Sequence, residues 1–230
     1  MSELLPHIIL NSGDDPRFSV IWLHGLGASG EDFVPVAQEL NLPQAVRFIF
    51  PHAPQRAVTI NGGFVMPAWY DIGSSEIDAE QDAAGIAASR HAIEKLIAHE
   101  VAGGIAPAHI FVAGFSQGGA IALHTGLHTK ERLGGVLALS TYLALADSVK
   151  KVVAAEGLAV PIFMAHGLQD TVVPYALGRQ SAEYLQQLGC TLSWHEYAMP
   201  HSVCMEEIRD IERWLTLQME IAENMEKSSG

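Results

Sequence analysis

Apolar residues in this chain fall into short unbroken runs separated by longer stretches of helical period. The runs at 19–23 (SVIWL), 46–50 (VRFIF), 110–113 (IFVA), 135–140 (GVLALS) and 161–165 (PIFMA) are rich in β-formers and carry at most one charged residue each. Runs of that length predict strands buried on both faces, as parallel strands are. Residues 191–197 alternate apolar and polar, as a half-buried strand does, and 6–10 predicts a short edge strand ended by the turn-rich 11–16.

The intervening segments change period. Ile86, Ile93, Leu96, Ile97 and Val101 share one helical stripe and predict a helix over 80–101; further helices are predicted at 31–40, 118–127 and 178–188, and Ile208, Ile211, Trp214 and Leu215 mark a terminal one. Residues 142–158 predict a loop with a short helix, and 225–230 a disordered tail. No repeat or linker divides residues 1–230, which predicts a single domain. About seven strands alternating with about five helices predict an α/β architecture, a mostly parallel central sheet with helices on both faces. Active groups in such sheets lie beyond the carboxyl ends of the strands.

One stretch, 55–77, has no helical period. It joins the turn signal Asn61-Gly62-Gly63 to apolar residues that look exposed, Phe64, Met66, Trp69 and Tyr70 among them. Long segments of this kind serve as lids or binding loops, so these four are expected to form an apolar wall for a substrate. The rival expectation is that the aromatics cap the core.

Composition removes several function classes. The chain has 230 residues, 13 Lys and Arg against 26 Asp and Glu, and so a net charge of −13, which disfavours nucleic acid or anionic lipid as a partner. Hydrophobic content of 49% with 17% charged residues describes a well-buried globular protein. No secretory signal and no apolar stretch of spanning length is visible, so a cytoplasmic protein without stable membrane insertion is expected, with Cys190 and Cys204 as reduced thiols.

The chemistry is announced between the run 110–113 and the Ala-rich helix after it, by Gly114-Phe115-Ser116-Gln117-Gly118. G-x-S-x-G at a strand-to-helix turn presents its serine at the carboxyl end of the strand, which makes Ser116 a candidate nucleophile. That role needs an acid and then a histidine later in the chain. Asp170 follows the strand 161–165 in a short loop, whereas its rival Asp147 lies in a longer one. Of eleven histidines, His201 alone combines the right order with a position just past a strand end; His195 points from within a strand and reads as structural. His124 and His128 stand four apart but lack a third ligand, so no metal is expected. Ser116 would attack a carbonyl, His201 would take and return the proton, and Asp170 would orient the imidazole. The three-glycine loop 24–30 can turn N–H groups inward, and with the Gln117 N–H would stabilise an oxyanion; the Gln117 side chain is expected to be dispensable.

With these residues in view, the chain resembles the bacterial carboxylesterase and acyl-protein thioesterase group of α/β-hydrolases. The matching pieces are His24-Gly25-Leu26-Gly27, Pro51-His52-Ala53-Pro54, Val58-Thr59-Ile60-Asn61, Met66-Pro67-Ala68-Trp69-Tyr70-Asp71, Gly114-Phe115-Ser116-Gln117-Gly118-Gly119-Ala120, and His166-Gly167 with Asp170. The resemblance implies the α/β-hydrolase fold, Ser116, Asp170 and His201 as a catalytic triad, Leu26 and Gln117 as oxyanion donors, no cofactor, and a small-molecule ester or acyl-thioester substrate. Ala28 stands where the group usually has an acidic residue, and Pro200 where it usually has glycine. The main expectation is a serine carboxylesterase for short-to-medium acyl chains. The alternatives are an acyl-protein thioesterase or lysophospholipase with long-chain preference, and a non-catalytic binding protein on a hydrolase scaffold. A homodimer is left open.

Overall fold

In the computed structural model, which describes residues 4–74 and 81–229, seven strands form one sheet. They are β1 (His7–Asn11), β2 (Phe18–Leu23), β3 (Val46–Pro51), β6 (Ile110–Phe115), β7 (Gly135–Leu139), β8 (Ile162–Gly167) and β9 (Leu192–Tyr197), with β4 (Gln55–Val58) and β5 (Phe64–Pro67) in a separate hairpin. The order across the sheet is β1-β3-β2-β6-β7-β8-β9. Only the edge strand β1 runs antiparallel, against β3; every other neighbour is parallel. This is the α/β-hydrolase arrangement that the resemblance implies.

Seven α-helices complete the described chain: α1 (Val34–Glu39), α2 (Ala83–Ala102), α3 (Gln117–His128), α4 (Ala146–Val152), α5 (Ala155–Leu158), α6 (Tyr175–Gln187) and α7 (Met205–Ser229). Successive strand residues face opposite sides of the sheet, so each apolar run feeds two cores. Val20, Trp22, Phe111, Ala113, Leu137 and Phe163 pack with α1 and α7; Ile21, Leu23, Val112, Val136 and Met164 pack with α2, α3 and α6. Nearly continuous apolar runs are what a two-faced burial demands.

Three boundaries differ from the sequence expectation. The helix expected from residue 80 starts at Ala83, where Asp82 accepts the Gly85 N–H at 2.8 Å; residue 80 itself lies outside the described residues. The expected tail 225–230 is helical through Ser229, with Gly230 outside the described residues. Ile211, Leu215, Met219 and Ala222 carry the buried stripe onward, and Glu226 reaches Arg17 at 3.1 Å and His109 at 3.4 Å. A helix already nucleated adds residues at little cost, which a polar sequence alone does not reveal. The segment 55–74 is no structureless loop: β4 and β5 pair antiparallel about the positive-φ residues Gly62 and Gly63, and Asp71 braces the Thr59 N–H at 2.7 Å. Residues 75–77 of that expected loop lie outside the described residues.

Candidate active site

Ser116 sits between β6 and α3 with φ 54° and ψ −120°, a conformation a side chain rarely adopts. Such strain, about 1–3 kcal/mol, persists only where the surroundings over-determine it. Here the Ser116 N–H donates to the Leu139 carbonyl at 2.9 Å, and its own carbonyl accepts from Thr141 Oγ1 at 2.7 Å and from the Gly119 N–H at 3.0 Å. The flanking glycines are steric necessities. A Cβ on Gly114 would lie 2.2 Å from the Gly118 carbonyl oxygen, and one on Gly118 would lie 2.5 Å from the Leu23 and His24 oxygens. The close approach of α3 to the end of β2 therefore also sets the 24–30 loop against the serine.

The loop after β8 carries Asp170, whose side chain is fully buried. Oδ1 accepts the Val172 and Val173 N–H groups, each at 2.9 Å, and Oδ2 lies 2.7 Å from His201 Nδ1. A carboxylate only accepts, so the imidazole proton is on Nδ1 and Nε2 keeps its lone pair. His201, in the loop between β9 and α7, packs its ring 4.7 Å from that of Phe115. Ser116, His201, Leu26 and Ala28 line one cavity of about 480 Å³, whose other walls include Phe33 and Val203. The structure thus gathers residues 26, 116, 170 and 201 from four separate strand ends. Pro200 costs the His201 loop no hydrogen bond that the geometry uses, because Met199 and Pro200 contribute carbonyls, to the Gln169 and Ser202 N–H groups.

His166 is a site residue the sequence reading does not single out as chemical. It is fully buried, its Nε2–H donates to the Val173 carbonyl at 2.9 Å, and it stands 3.4 Å from Asp170 Oδ2, the oxygen that also faces His201. Burial pulls its pKa below the ordinary histidine value. Its i, i+4 spacing from Asp170 was the available signal.

The apolar wall expected from the 55–77 segment divides in two. Trp69 and Tyr70 are 0% and 2% exposed, so the surface reading is corrected for both. Trp69 Nε1 donates to the His24 carbonyl at 2.8 Å, and the hydroxyls of Tyr70 and Tyr142 meet at 3.1 Å. Their polar ends find internal partners, which is what lets rings of this size be core residues. Phe64, at 74% exposed, and the partly buried Met66 remain on the hairpin. Met66 Sδ would be 3.6 Å from a Cβ on Gly27, and the Gly27 N–H donates to the Pro67 carbonyl at 2.8 Å, so the hairpin is tied to the loop beside the serine.

The Gln117 side chain is also not idle. Its Oε1 accepts the Trp69 N–H at 2.8 Å and its Nε2 donates to the Tyr70 carbonyl at 2.7 Å, all buried. Its backbone N–H, at the first position of α3, has no acceptor among the described residues, nor has that of Leu26.

The other candidates sort as structural. His195 stacks on Phe163 at 4.3 Å, and His124 Nε2 bonds the Ala144 carbonyl at 2.6 Å. Among the described residues no group of three His, Cys, Asp or Glu side chains could hold a metal, and no helix is long and apolar enough to cross a membrane. Cys190 and Cys204 are free thiols, and burial pushes that of Cys190 up to about 11.

Comparison with known proteins agrees with this fold. Residues 6–219 match the model of a family described as phospholipase/carboxylesterase. The chain is 40% identical over 212 residues to acyl-protein thioesterase 1 of Emericella nidulans, covering 86% of this chain and 88% of that protein. It is 33% identical to a probable carboxylesterase of Oryza sativa subsp. japonica, covering 98% and 86%. The crystal structure of Zea mays acyl-protein thioesterase 2 superposes with a TM-score of 0.84 at 28% identity, covering 94% of this chain and 99% of that one. The chain is a hydrolase belonging to the phospholipase/carboxylesterase family of α/β-hydrolases.

Proposed function

We propose that the protein hydrolyses acyl thioesters and carboxylic esters through an acyl-serine on Ser116, with His201 as base and Asp170 as its orienting acid. The observation that carries this reading is the 2.7 Å Asp170–His201 pair opening on the cavity that Ser116 also lines. His201 Nε2 takes the Ser116 proton as Oγ attacks the carbonyl carbon, and the Leu26 and Gln117 N–H groups receive the negative oxygen. Collapse expels a thiolate or alkoxide, which leaves with the proton from His201, and water then repeats the cycle on the acyl-serine.

The names of the relatives favour the acyl-protein thioesterase alternative over a short-to-medium carboxylesterase. The cavity is suited to an acyl chain, because Phe33, Val36, Phe115 and Val203 contribute apolar walls. Met66, held beside Gly27, would extend that wall, with Phe64 further along the same strand. A fluorophosphonate probe should label the native chain and not Ser116→Ala, and a series of acyl thioesters and oxoesters from acetyl to palmitoyl should show kcat/KM rising with chain length. Labelling of folded Ser116→Ala would refute the nucleophile; a maximum at acetyl would favour the short-chain ester reading.

A further inference from the structure

His24 is 1% exposed, lies at the head of the oxyanion loop, and has both ring nitrogens engaged. The Ala53 N–H donates to Nε2 at 3.1 Å, so Nε2 carries no proton and the ring must be protonated on Nδ1. Nδ1 lies 2.7 Å from the Gly25 carbonyl oxygen, and the tautomer just fixed makes this a donation to that carbonyl. The same oxygen accepts the Ala28 N–H at 3.3 Å.

The Gly25 carbonyl and the Leu26 N–H belong to one planar trans peptide unit, in which C=O and N–H point in opposite directions. Holding the carbonyl toward the His24 ring therefore turns the Leu26 N–H the other way. Gly25 and Leu26 line the Ser116 cavity, and a Cβ on Gly25 would stand 3.6 Å from that of Ser116. The Leu26 N–H has no acceptor among the described residues, as an oxyanion donor must before the reaction. A glycine carbonyl is the hardest to hold by local sterics, because its peptide can flip at little cost.

We propose that His24 is a positioning residue that sets the Leu26 N–H for oxyanion binding by pinning the preceding carbonyl through Nδ1–H. This rests on the serine-hydrolase reading above. It acts only through the backbone and touches no substrate. The Ala53 contact has a separate part: it selects the tautomer. Burial keeps the ring neutral by lowering its pKa, which preserves that donor and acceptor pattern.

The test is a three-variant series. Asn at position 24 places a side-chain N–H near the site of Nδ1, whereas Gln reaches the site of Nε2 and Ala reaches neither. We expect His24→Asn to keep most of kcat. His24→Gln and His24→Ala should lose on the order of 10²-fold in kcat, the effect of misplacing a reacting group by about 1 Å, with KM little changed. An alkyl trifluoromethyl ketone, which forms an oxyanion on the serine, should bind these two variants more weakly by the same factor. Rescue by Gln and not by Asn would show that His24 merely braces the chain at Ala53, and would overturn the proposal. So would wild-type kcat in folded His24→Gln, or an unchanged inhibitor affinity beside a lowered kcat. If His24→Ala does not fold, the Asn and Gln pair decides alone. Ser116→Ala in the same assay separates the two readings: persistent turnover there sinks the serine mechanism itself.

Discussion

Gln117 and Trp69 are joined by a buried hydrogen bond of 2.8 Å, from the Trp69 main-chain N–H to Gln117 Oε1. Through it the residue after Ser116 holds the same tryptophan whose indole N–H reaches the His24 carbonyl at 2.8 Å. The turn at Ser116 and the loop 24–30 are thereby braced against one shared residue.

Gln117→Ala should therefore cost stability as well as rate. It orphans the Trp69 N–H and the Tyr70 carbonyl, and each buried unpaired group costs about 1–3 kcal/mol. A melting curve and kcat measured on the same sample check this. Native values for both would show that the clamp contributes nothing.

Trp69 should behave as a core residue. Trp69→Ala is expected to lower stability by about 3–5 kcal/mol, and to reduce kcat/KM equally for acetate and octanoate esters, because the ring is fully buried. A loss confined to octanoate would restore the substrate-wall reading for this residue.

Met66→Ala should show the opposite pattern. Beside the loop that lines the cavity, it is expected to leave acetate turnover near native and to weaken octanoate turnover, since each buried methylene of substrate is worth about 0.8 kcal/mol. Parallel kcat/KM measurements with the two esters decide it.

Asp170→Asn should lower kcat by about 10³–10⁴, because an amide can no longer both accept from His201 Nδ1–H and accept the Val172 and Val173 N–H groups. Single-turnover acylation with an activated ester reads the loss directly. A decrease of less than about tenfold would remove Asp170 from the mechanism.

Glu207, at the start of α7, has both carboxyl oxygens buried without a partner of good geometry. Burial pushes its pKa from 4.5 up to about 8, and the Cys204 N–H offsets only part of this. A raised pKa contributes stability that is complete at low pH and lost as pH rises through the folded value. Glu207→Gln copies the neutral acid, so its melting temperature relative to the native chain should climb between about pH 5 and pH 8 and level off above. A constant gap over that range would mean that Glu207 does not titrate there.

Much of this protein was readable from residue order alone. Apolar runs too short for core helices dictated strands, and their scarcity of polar members dictated a sheet covered on both faces; both follow from local periodicity. Gly114-x-Ser116-x-Gly118 is likewise local, since the clash of either Cβ arises within a few residues or at the adjoining strand. Asp170 and His201 were singled out because both stand just past strand ends, and the fold does bring their side chains within 2.7 Å of each other. The tertiary structure alone decided what happens between elements. Trp69 looked like a surface aromatic, and only the fold gives its indole N–H a buried partner 45 residues away. The Gln117 amide, the His166 ring and the His24 tautomer are set by Tyr70, Val173 and Ala53, partners contributed by other parts of the chain. A hydrogen bond made across the fold leaves no period in the sequence, because the side chain's partner in each of these bonds is an ordinary backbone group that every residue carries.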